Sequence, residues 1–164
     1  MPILYDPIRP EADAAGLRVG LAVSRYHDRI TDALRDAAVE RFRRAGGADA
    51  DLRVVHTPGA FELTAVCRAF AASGDVDAVV ALGCVISGET DHDRYIAAAV
   101  ATGLTMITVE TGVPVAFGLL TCASLDQAEA RAGGNRGNKG DEAMLAAIET
   151  VSVIRSLGRA QECS

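Results

Sequence analysis

The feature that most constrains the fold is an alternation of short apolar runs with longer amphipathic stretches along most of the chain. Short apolar runs bounded by glycine, proline or charged residues are typical of buried strands, whereas apolar residues at every third or fourth position indicate helices. Strands are predicted at 17–24, 51–57, 76–83 and 104–110, and in the segment VPVAFGLLT that ends at Thr121. Helices are predicted from Asp28 to Arg44, through 61–69, from the end of the loop 84–91 to Gly103, from Ser124 to Gly133, and from Asp141 to Leu157.

This pattern predicts the fold class. Strands that are apolar throughout, with helices between them, indicate a parallel sheet that is covered on both faces. Right-handed crossovers then give a three-layer, doubly wound α/β fold. Because ligands of such folds bind beyond the carboxyl ends of the strands, the loops after the strands are the place to look for a site.

The length of 164 residues suits one domain and is short for two. That domain is predicted to span residues 17–157. Residues 1–16 carry three prolines, which exclude a helix or a central strand. They form an extended N-terminal arm, which is either frayed or bound to the sheet edge of a neighbouring subunit. Residues 158–164 are predicted to be a disordered tail.

The composition excludes several classes of function. A net charge of −6 and a pI near 5.0 argue against binding to nucleic acid or anionic membranes, both of which need a basic face. The first residues lack the pattern of a signal peptide, and no apolar run reaches the length of a membrane span. The four cysteines are widely scattered and form no CxxC pair, so we expect reduced thiols and a cytoplasmic protein.

Chemically distinctive residues cluster where the strands are predicted to end. The loops after the first three strands are residues 25–28, 58–62 and 84–92. They include two of the three histidines and two aromatic residues, Tyr26 and Phe61. Phe117 is expected near the end of the last strand. Because parallel strands end at the same edge of a sheet, this clustering predicts an active site there.

Two interpretations remain open for the aromatic and acidic residues of these loops. Tyr26 and Phe61 are either ordinary packing residues or the two sides of a sandwich for a flat heterocycle. Glu62 is either a favourable charge in the first turn of a helix or an acceptor for the hydroxyls of a polyol.

The loop that ends at His92 is the most informative stretch. Gly88 precedes a helix start, whose free N–H groups suit a phosphate. Glu89 and Asp91 oppose an anion there unless Arg131 reaches the same group. His92 is either a proton-transfer residue or a structural histidine.

Four neighbouring side chains in this loop could suggest a metal site, but we predict none. Glu89, Asp91, His92 and Asp93 are nearly consecutive, so few of them can point at one ion, and no second histidine follows at helical spacing.

Lys139 is the only lysine in a chain that otherwise uses arginine. A compact ammonium at the start of the last helix could be functional, or the residue could be there by chance. An imine-forming lysine is a weaker interpretation, because nothing apolar surrounds it in sequence.

Four segments resemble the lumazine synthase family and occur in the order typical of it: PGAFEL at 58–63, GCVISGET with His92 at 83–92, ETGVPVAFGLLT at 110–121, and DQAEARAGG with NKG at 126–140. The resemblance covers residues 17–157 and implies a flavodoxin-like fold. It also implies condensation of 5-amino-6-ribitylaminouracil with 3,4-dihydroxy-2-butanone 4-phosphate, with release of phosphate and water, in riboflavin biosynthesis. No metal or organic cofactor is implied.

The resemblance further implies roles for individual residues. His92 is expected to transfer protons. The pyrimidine is expected to contact Tyr26, His27, Val85 and Ile86, and the ribityl chain to contact Ala60, Phe61 and Glu62. The phosphate is expected to contact Glu89, Thr90 and Arg131. Phe117, Arg131 and Lys139 are expected to come from an adjacent subunit.

Members of the family assemble as homo-pentamers, and some close the pentamers into icosahedral shells of about 60 chains. The short linker GGNRGNKG resembles that of the shell-forming members. The chain departs from the family pattern at Ser87, usually a basic residue, at Asp93 and Arg94, usually an aromatic–acid pair, and at Thr64, commonly a proline.

Other functions remain possible on the sequence alone. The main alternative is a flavin- or lumazine-binding paralogue with weak or no synthase activity. A purely structural shell protein and an archaeal-type riboflavin synthase of related fold are further alternatives. A flavodoxin-like electron carrier is disfavoured, because no hydroxyl-rich phosphate loop follows the first strand.

Overall fold

The computed structural model describes the backbone of residues 11–162 and the side chains of residues 11–158. The first ten residues of the predicted N-terminal arm lie outside this range. The elements are β1 (Val19–Ser24), α1 (Asp28–Arg44), a 3-10 turn (Asp49–Asp51), β2 (Leu52–Thr57), α2 (Leu63–Ser73), β3 (Ala78–Ile86), α3 (His92–Thr111), β4 (Val115–Cys122), α4 (Leu125–Arg131), β5 (Ala132–Gly134), β6 (Gly137–Asn138) and α5 (Lys139–Glu162).

The main sheet has four parallel strands in the order β2-β1-β3-β4. Helices cover both of its faces. On one face Leu34 and Phe42 of α1 pack with Ile148 of α5, and on the other Leu63 of α2 packs with Val100 of α3. Successive residues of β3 alternate between these two core clusters, as expected for a strand buried on both faces. The structure confirms the predicted three-layer, flavodoxin-like α/β fold.

The predicted strand at 104–110 is wrong, because these residues form the last two turns of α3. The β-branched run that suggested a strand also satisfies helical packing: Val100, Leu104 and Ile107 are buried, at spacings of four and three residues. The hydroxyls of Thr105 and Thr111 donate to the backbone carbonyls four residues earlier, at 2.9 and 2.6 Å. Burial on one helical stripe therefore outweighs the local preference for extended structure.

Several helix ends differ from the prediction. Ser124 begins α4 as predicted, since its side chain accepts a hydrogen bond from the Gln127 N–H at 3.3 Å. The helix ends at Arg131, and the predicted loop contains the short antiparallel hairpin of β5 and β6. The last helix continues to Glu162, into the segment predicted to be a disordered tail. No helix within residues 11–162 is long and apolar enough to cross a membrane.

The start of α5 lies tightly against α1. A Cβ atom added to Gly140 would lie 1.9 Å from the Leu34 carbonyl oxygen, so only glycine permits this approach. The Asn138 side chain joins the two helices, because its amide nitrogen donates to the Ala33 carbonyl at 3.1 Å and its oxygen accepts from the Gly140 N–H at 2.8 Å. The position of Lys139 is therefore fixed relative to α1.

Candidate active site

A cavity of about 480 Å³ opens where β1 and β3 end and α2 and α3 begin. This is the edge of the sheet that the strand-end rule indicates. Most of the predicted site residues line it: Tyr26, His27, Ala60, Phe61, Glu62, Val85, Ile86, Thr90 and His92. Five lining residues were not among the predicted ones: Gly59, Cys84, Gly88, Asp93 and Ile96. Of these, Ile96 could have been found from its spacing of one helical turn after His92.

The loop after β1 turns sharply to present two rings. His27 has φ 59° and ψ 50°, a left-handed conformation that is uncommon for a residue other than glycine. Its carbonyl accepts hydrogen bonds from the N–H groups of Ile30 and Thr31 at 2.8 and 3.0 Å, which begins α1. The Tyr26 and His27 rings meet edge to face, with centroids 5.3 Å apart, and Tyr26 remains 70% exposed. A tyrosine ring that is largely exposed and held by a neighbouring ring can offer a face for stacking.

The loop after β2 places an aromatic and an acidic side chain in the cavity. The Thr57 hydroxyl donates to the Gly59 carbonyl at 2.7 Å, which holds the turn. The Glu62 carboxylate folds back over Gly59, where an added Cβ atom would lie 2.9 Å from Oε2. Phe61 stays 59% exposed at the cavity, so it is not a packing residue within this chain. The loop thus offers an apolar ring face beside a carboxylate that can accept hydrogen bonds from hydroxyl groups.

The loop after β3 leads to His92, the first residue of α3. Among residues 11–158, the N–H groups of Gly88 and Thr90 make no intramolecular hydrogen bond, and both residues line the cavity. Free N–H groups before a helix start can bind an anion. Glu89 lies on the same loop but not among the lining residues, and it is exposed.

Cys84 lies at the inner end of the cavity and is 2% exposed. Burial raises the pKa of its thiol to about 12, and the neighbouring Cys122 raises it further in the same direction. A thiol with such a pKa stays protonated near neutral pH, so Cys84 contributes surface rather than a nucleophile. Within the described residues, no group of three or more histidine, cysteine, aspartate or glutamate side chains is arranged to hold a metal ion.

Besides Glu89, three predicted site residues lie outside the cavity, and we call these three the outer edge: Phe117, Arg131 and Lys139. Phe117 is the third residue of β4, paired in register with Ala81, so the prediction that it lies near the end of its strand is wrong. Five residues of the strand follow Phe117, up to Cys122. The Phe117 side chain is 50% exposed on the edge strand of the sheet.

Both cations of the outer edge contact groups of their own chain. The Arg131 guanidinium donates to the Gln127 carbonyl at 3.0 Å, and the Lys139 ammonium pairs with the Glu142 carboxylate. Each of these contacts lies within one helical turn and is solvent-exposed, so it is weak and easily exchanged. The chain therefore brings the aromatic and imidazole groups together in one cavity, but it does not bring the outer edge to them.

Comparisons with known proteins agree with this geometry. Residues 16–155 match the family described as 6,7-dimethyl-8-ribityllumazine synthase. A protein of that name from Anaeromyxobacter dehalogenans is 47% identical over 145 residues, which cover 88% of this chain and 90% of the relative.

Two further relatives carry the same name. The one from Thermus thermophilus is 43% identical over 152 residues, covering 93% of this chain and 97% of the relative. The one from Chlorobium chlorochromatii is also 43% identical over 152 residues, with 93% and 98% coverage. The matched length, the fold and the cavity together show that this chain belongs to the 6,7-dimethyl-8-ribityllumazine synthase family.

Proposed function

We propose that the cavity condenses 5-amino-6-ribitylaminouracil with 3,4-dihydroxy-2-butanone 4-phosphate to form 6,7-dimethyl-8-ribityllumazine, a transferase reaction of riboflavin biosynthesis. The observation that carries the proposal is the convergence of Tyr26, Phe61, Glu62 and His92 on one cavity in a chain of this family. This substrate pair has a flat ring that can stack on an aromatic side chain and a polyol chain that can donate hydrogen bonds to a carboxylate. Its condensation also moves protons, which an imidazole can transfer. No observation favours the flavin-binding alternative.

The proposed binding mode follows the chemistry of each wall. The uracil ring stacks on the exposed face of Tyr26, and the backbone of Val85 and Ile86 borders the ring. The ribityl hydroxyls donate to the Glu62 carboxylate beside Phe61. The second substrate places its phosphate on the free N–H groups of Gly88 and Thr90.

In this arrangement the enzyme contributes mainly alignment and proton transfer. The 5-amine of the uracil attacks the ketone carbon, and water leaves to give an imine. Loss of the proton on the neighbouring carbon forms a C=C bond as phosphate departs with the electrons of its C–O bond. The resulting enol becomes a ketone, which the ribitylamino nitrogen attacks, and loss of a second water closes the ring. Holding amine and ketone together supplies much of the acceleration. His92, the first residue of α3, takes and returns the protons that these steps move. Such proton transfer is typically worth about 10²–10⁴-fold in rate.

We propose that the outer edge completes the site of a neighbouring subunit in a homo-pentamer. Two observations support this. Arg131 and Lys139 are the cations that a phosphate and a ring carbonyl need, yet neither lines the cavity of its own chain. In addition, Tyr95, Met106 and Val109 leave an apolar strip exposed on α3, at 73%, 53% and 80%. Exposed apolar surface of this kind marks an interface.

Closure of the pentamers into an icosahedral shell is the further assembly that we propose. It is supported by the short connection between α4 and α5, which holds only the hairpin of β5 and β6. A cytoplasmic location is inferred from the free, buried thiols of Cys67, Cys84 and Cys122, since disulfides would be expected in an oxidising compartment.

The test is formation of a fluorescent lumazine by the purified protein when both substrates are present, with omission of the butanone phosphate as the control. We expect turnover that the His92→Ala variant loses. Binding of lumazine or flavin without turnover would support the paralogue instead. Conversion of lumazine to riboflavin would indicate a riboflavin synthase.

Subunit sharing is tested by mixing two inactive variants. His92→Ala and Arg131→Ala chains are each assayed alone, then unfolded together, refolded and assayed again. If the site joins two subunits in a ring, about a quarter of the sites regain both intact parts. Full inactivity of the refolded mixture, beside an active refolded wild type, would contradict a shared site. Light scattering gives the size of the assembly in the same samples.

A further inference from the structure

We propose that Ser87 and Asp93 form a clasp that positions His92 and the phosphate-binding loop. The inference rests on the proposed function, since it assigns a positioning role within that same site. The Ser87 hydroxyl donates to Oδ2 of Asp93 at 2.7 Å. Ser87 is the first residue after β3 and Asp93 is the second residue of α3, so this single bond closes the segment that contains Gly88, Thr90 and His92.

The clasp is anchored at its strand end. The Ser87 N–H donates to the Cys122 carbonyl at 2.9 Å, which ties the residue to the end of β4. The other end is the first turn of α3, where Asp93 is the acidic residue that favours the helix N-terminus. The clasp therefore connects two rigid elements, the sheet and α3, across a loop that carries the functional groups.

Little else holds this loop. A Cβ atom added to Gly88 would meet nothing within 4 Å, so packing does not restrain the chain there. Asp91, the residue before α3, makes no side-chain capping bond. Within residues 11–158, the Ser87–Asp93 bond is the only side-chain hydrogen bond that joins the residues at 87–91 to α3. Bonds from the N–H groups of Arg94 and Tyr95 to the Asp91 carbonyl also hold the start of α3, so loss of the clasp loosens the loop N–H groups and the first turn that carries His92, while the rest of α3 stays packed on the sheet.

The clasp joins a neutral donor to a charged acceptor. Ser87 supplies the hydroxyl and Asp93 the carboxylate of one hydrogen bond. A hydrogen bond to an ionised acceptor is among the stronger ones in proteins. The pair is thus a positioning device, whereas His92 is the catalytic residue that touches substrate.

The test compares Ser87→Ala with Ser87→Thr, which keeps the hydroxyl. We expect Ser87→Ala to lower kcat about 10- to 100-fold, the cost of misplacing a reacting group. The KM for butanone phosphate should rise, while the KM for the uracil substrate, which binds to Tyr26, Phe61 and Glu62, should stay unchanged. Ser87→Thr should restore both parameters. Ser156→Ala removes a hydroxyl from α5, outside the site, and serves as the matched control.

A second set of variants separates positioning from a direct charge effect. Asp93→Asn keeps an acceptor oxygen for Ser87, so it should retain most of the activity that Asp93→Ala loses. The double variant Ser87→Ala/Asp93→Ala should be no worse than either single one, because the two residues act through one bond. Equal losses in Asp93→Asn and Asp93→Ala with a harmless Ser87→Ala would overturn the clasp and make Asp93 a charged participant.

Amide hydrogen exchange tests the clasp without relying on turnover. The amides that can report on the clasp are those hydrogen-bonded beside it, since the Ser87 N–H donates to the Cys122 carbonyl and the Arg94 and Tyr95 N–H groups donate to the Asp91 carbonyl. We expect these three amides to exchange about tenfold faster in Ser87→Ala than in the wild type or Ser87→Thr, with no change in the core of β3. If the wild type does not condense the substrates, the proposed function fails, and the exchange rates still decide whether the clasp exists. Unchanged exchange in Ser87→Ala would overturn it.

Discussion

The cavity and the outer edge differ in how their functional groups are held. In the cavity, Tyr26, Phe61 and His92 stand on loops at the strand ends and face open space. At the outer edge, Arg131 and Lys139 lie at helix ends and contact their own chain. The side chains of the cavity are open to a ligand, whereas the charged groups of the outer edge are paired with groups of their own chain. The difference teaches that the predicted site residues fall into two groups that a single chain does not bring together.

The two regions also differ in backbone construction. The cavity contains His27 in a left-handed conformation and a loop closed by one hydrogen bond between Ser87 and Asp93. The outer edge is tied to the core by Asn138 and by the close approach at Gly140. The cavity is thus built on loops, while the backbone at Lys139 is fixed against α1.

The largest effect is expected for the cavity itself. His92→Ala should lower kcat by about 10²–10⁴-fold, because the proton transfers lose their donor and acceptor. His56→Ala is the matched control, since His56 is exposed on β2 and does not line the cavity. Steady-state formation of lumazine measures both. Equal activity of the two variants would show that His92 takes no part in the reaction. The distinction between the cavity and the outer edge would then no longer hold.

Gly140→Ala should have the next largest effect, on stability. The added methyl collides with the Leu34 backbone, which cannot move aside as a side chain can, so we expect a loss of about 3 kcal/mol in the free energy of unfolding. Gly158→Ala, with nothing within 4 Å of the added atom, should instead gain about 0.5–1 kcal/mol. Urea denaturation gives both values. A tolerated Gly140→Ala would mean that the outer edge is not rigidly held.

Gly59→Ala should affect binding rather than folding. Here the added methyl meets only the end of the Glu62 side chain, which can swing away at small cost. The KM for the uracil substrate should rise about tenfold, equivalent to roughly 1.4 kcal/mol, as the ribityl chain loses its acceptor. Glu62→Ala should give a similar rise. An unchanged KM in both variants would place the ribityl chain elsewhere, and the KM for butanone phosphate provides the internal control.

The smallest effect is expected at His27. His27→Gly removes the strain of a left-handed non-glycine residue and should raise the free energy of unfolding by about 1 kcal/mol. It also removes the ring that packs perpendicular to Tyr26, so the KM for the uracil substrate should rise modestly. Thermal denaturation and steady-state kinetics would separate the two effects. A less stable variant would show that His27 is not strained.

Much of the fold and the cavity could be predicted from the sequence, because the rules involved are local. Apolar runs located β1, β2 and β3, and their common edge brought Tyr26, Phe61 and the loop before His92 into one prediction. The segment at 104–110 failed because its β-branched residues favour a strand locally, while burial of Leu104 and Ile107 favours a helix.

Two features of the site could not be predicted from the sequence, because they depend on contacts between distant segments of the chain. The Ser87–Asp93 bond depends on the path of the loop between them, which no periodicity encodes. Likewise, Arg131 and Lys139 could be named from the resemblance, but their separation from the cavity depends on where α4 and α5 pack. Long-range packing fixes both, and the spacing of residues along the chain does not.

The contact between α1 and Gly140 has a consequence for assembly. Helix α1 begins beside Tyr26 and, about 10 Å further along its axis, abuts the residue after Lys139. In the proposed ring, α1 therefore acts as a strut that sets the spacing between the outer edge, which a subunit offers to one neighbour, and the cavity, which it offers to the other. In a closed ring any error in that spacing accumulates from subunit to subunit, so an inflexible strut favours closure over open, helical growth.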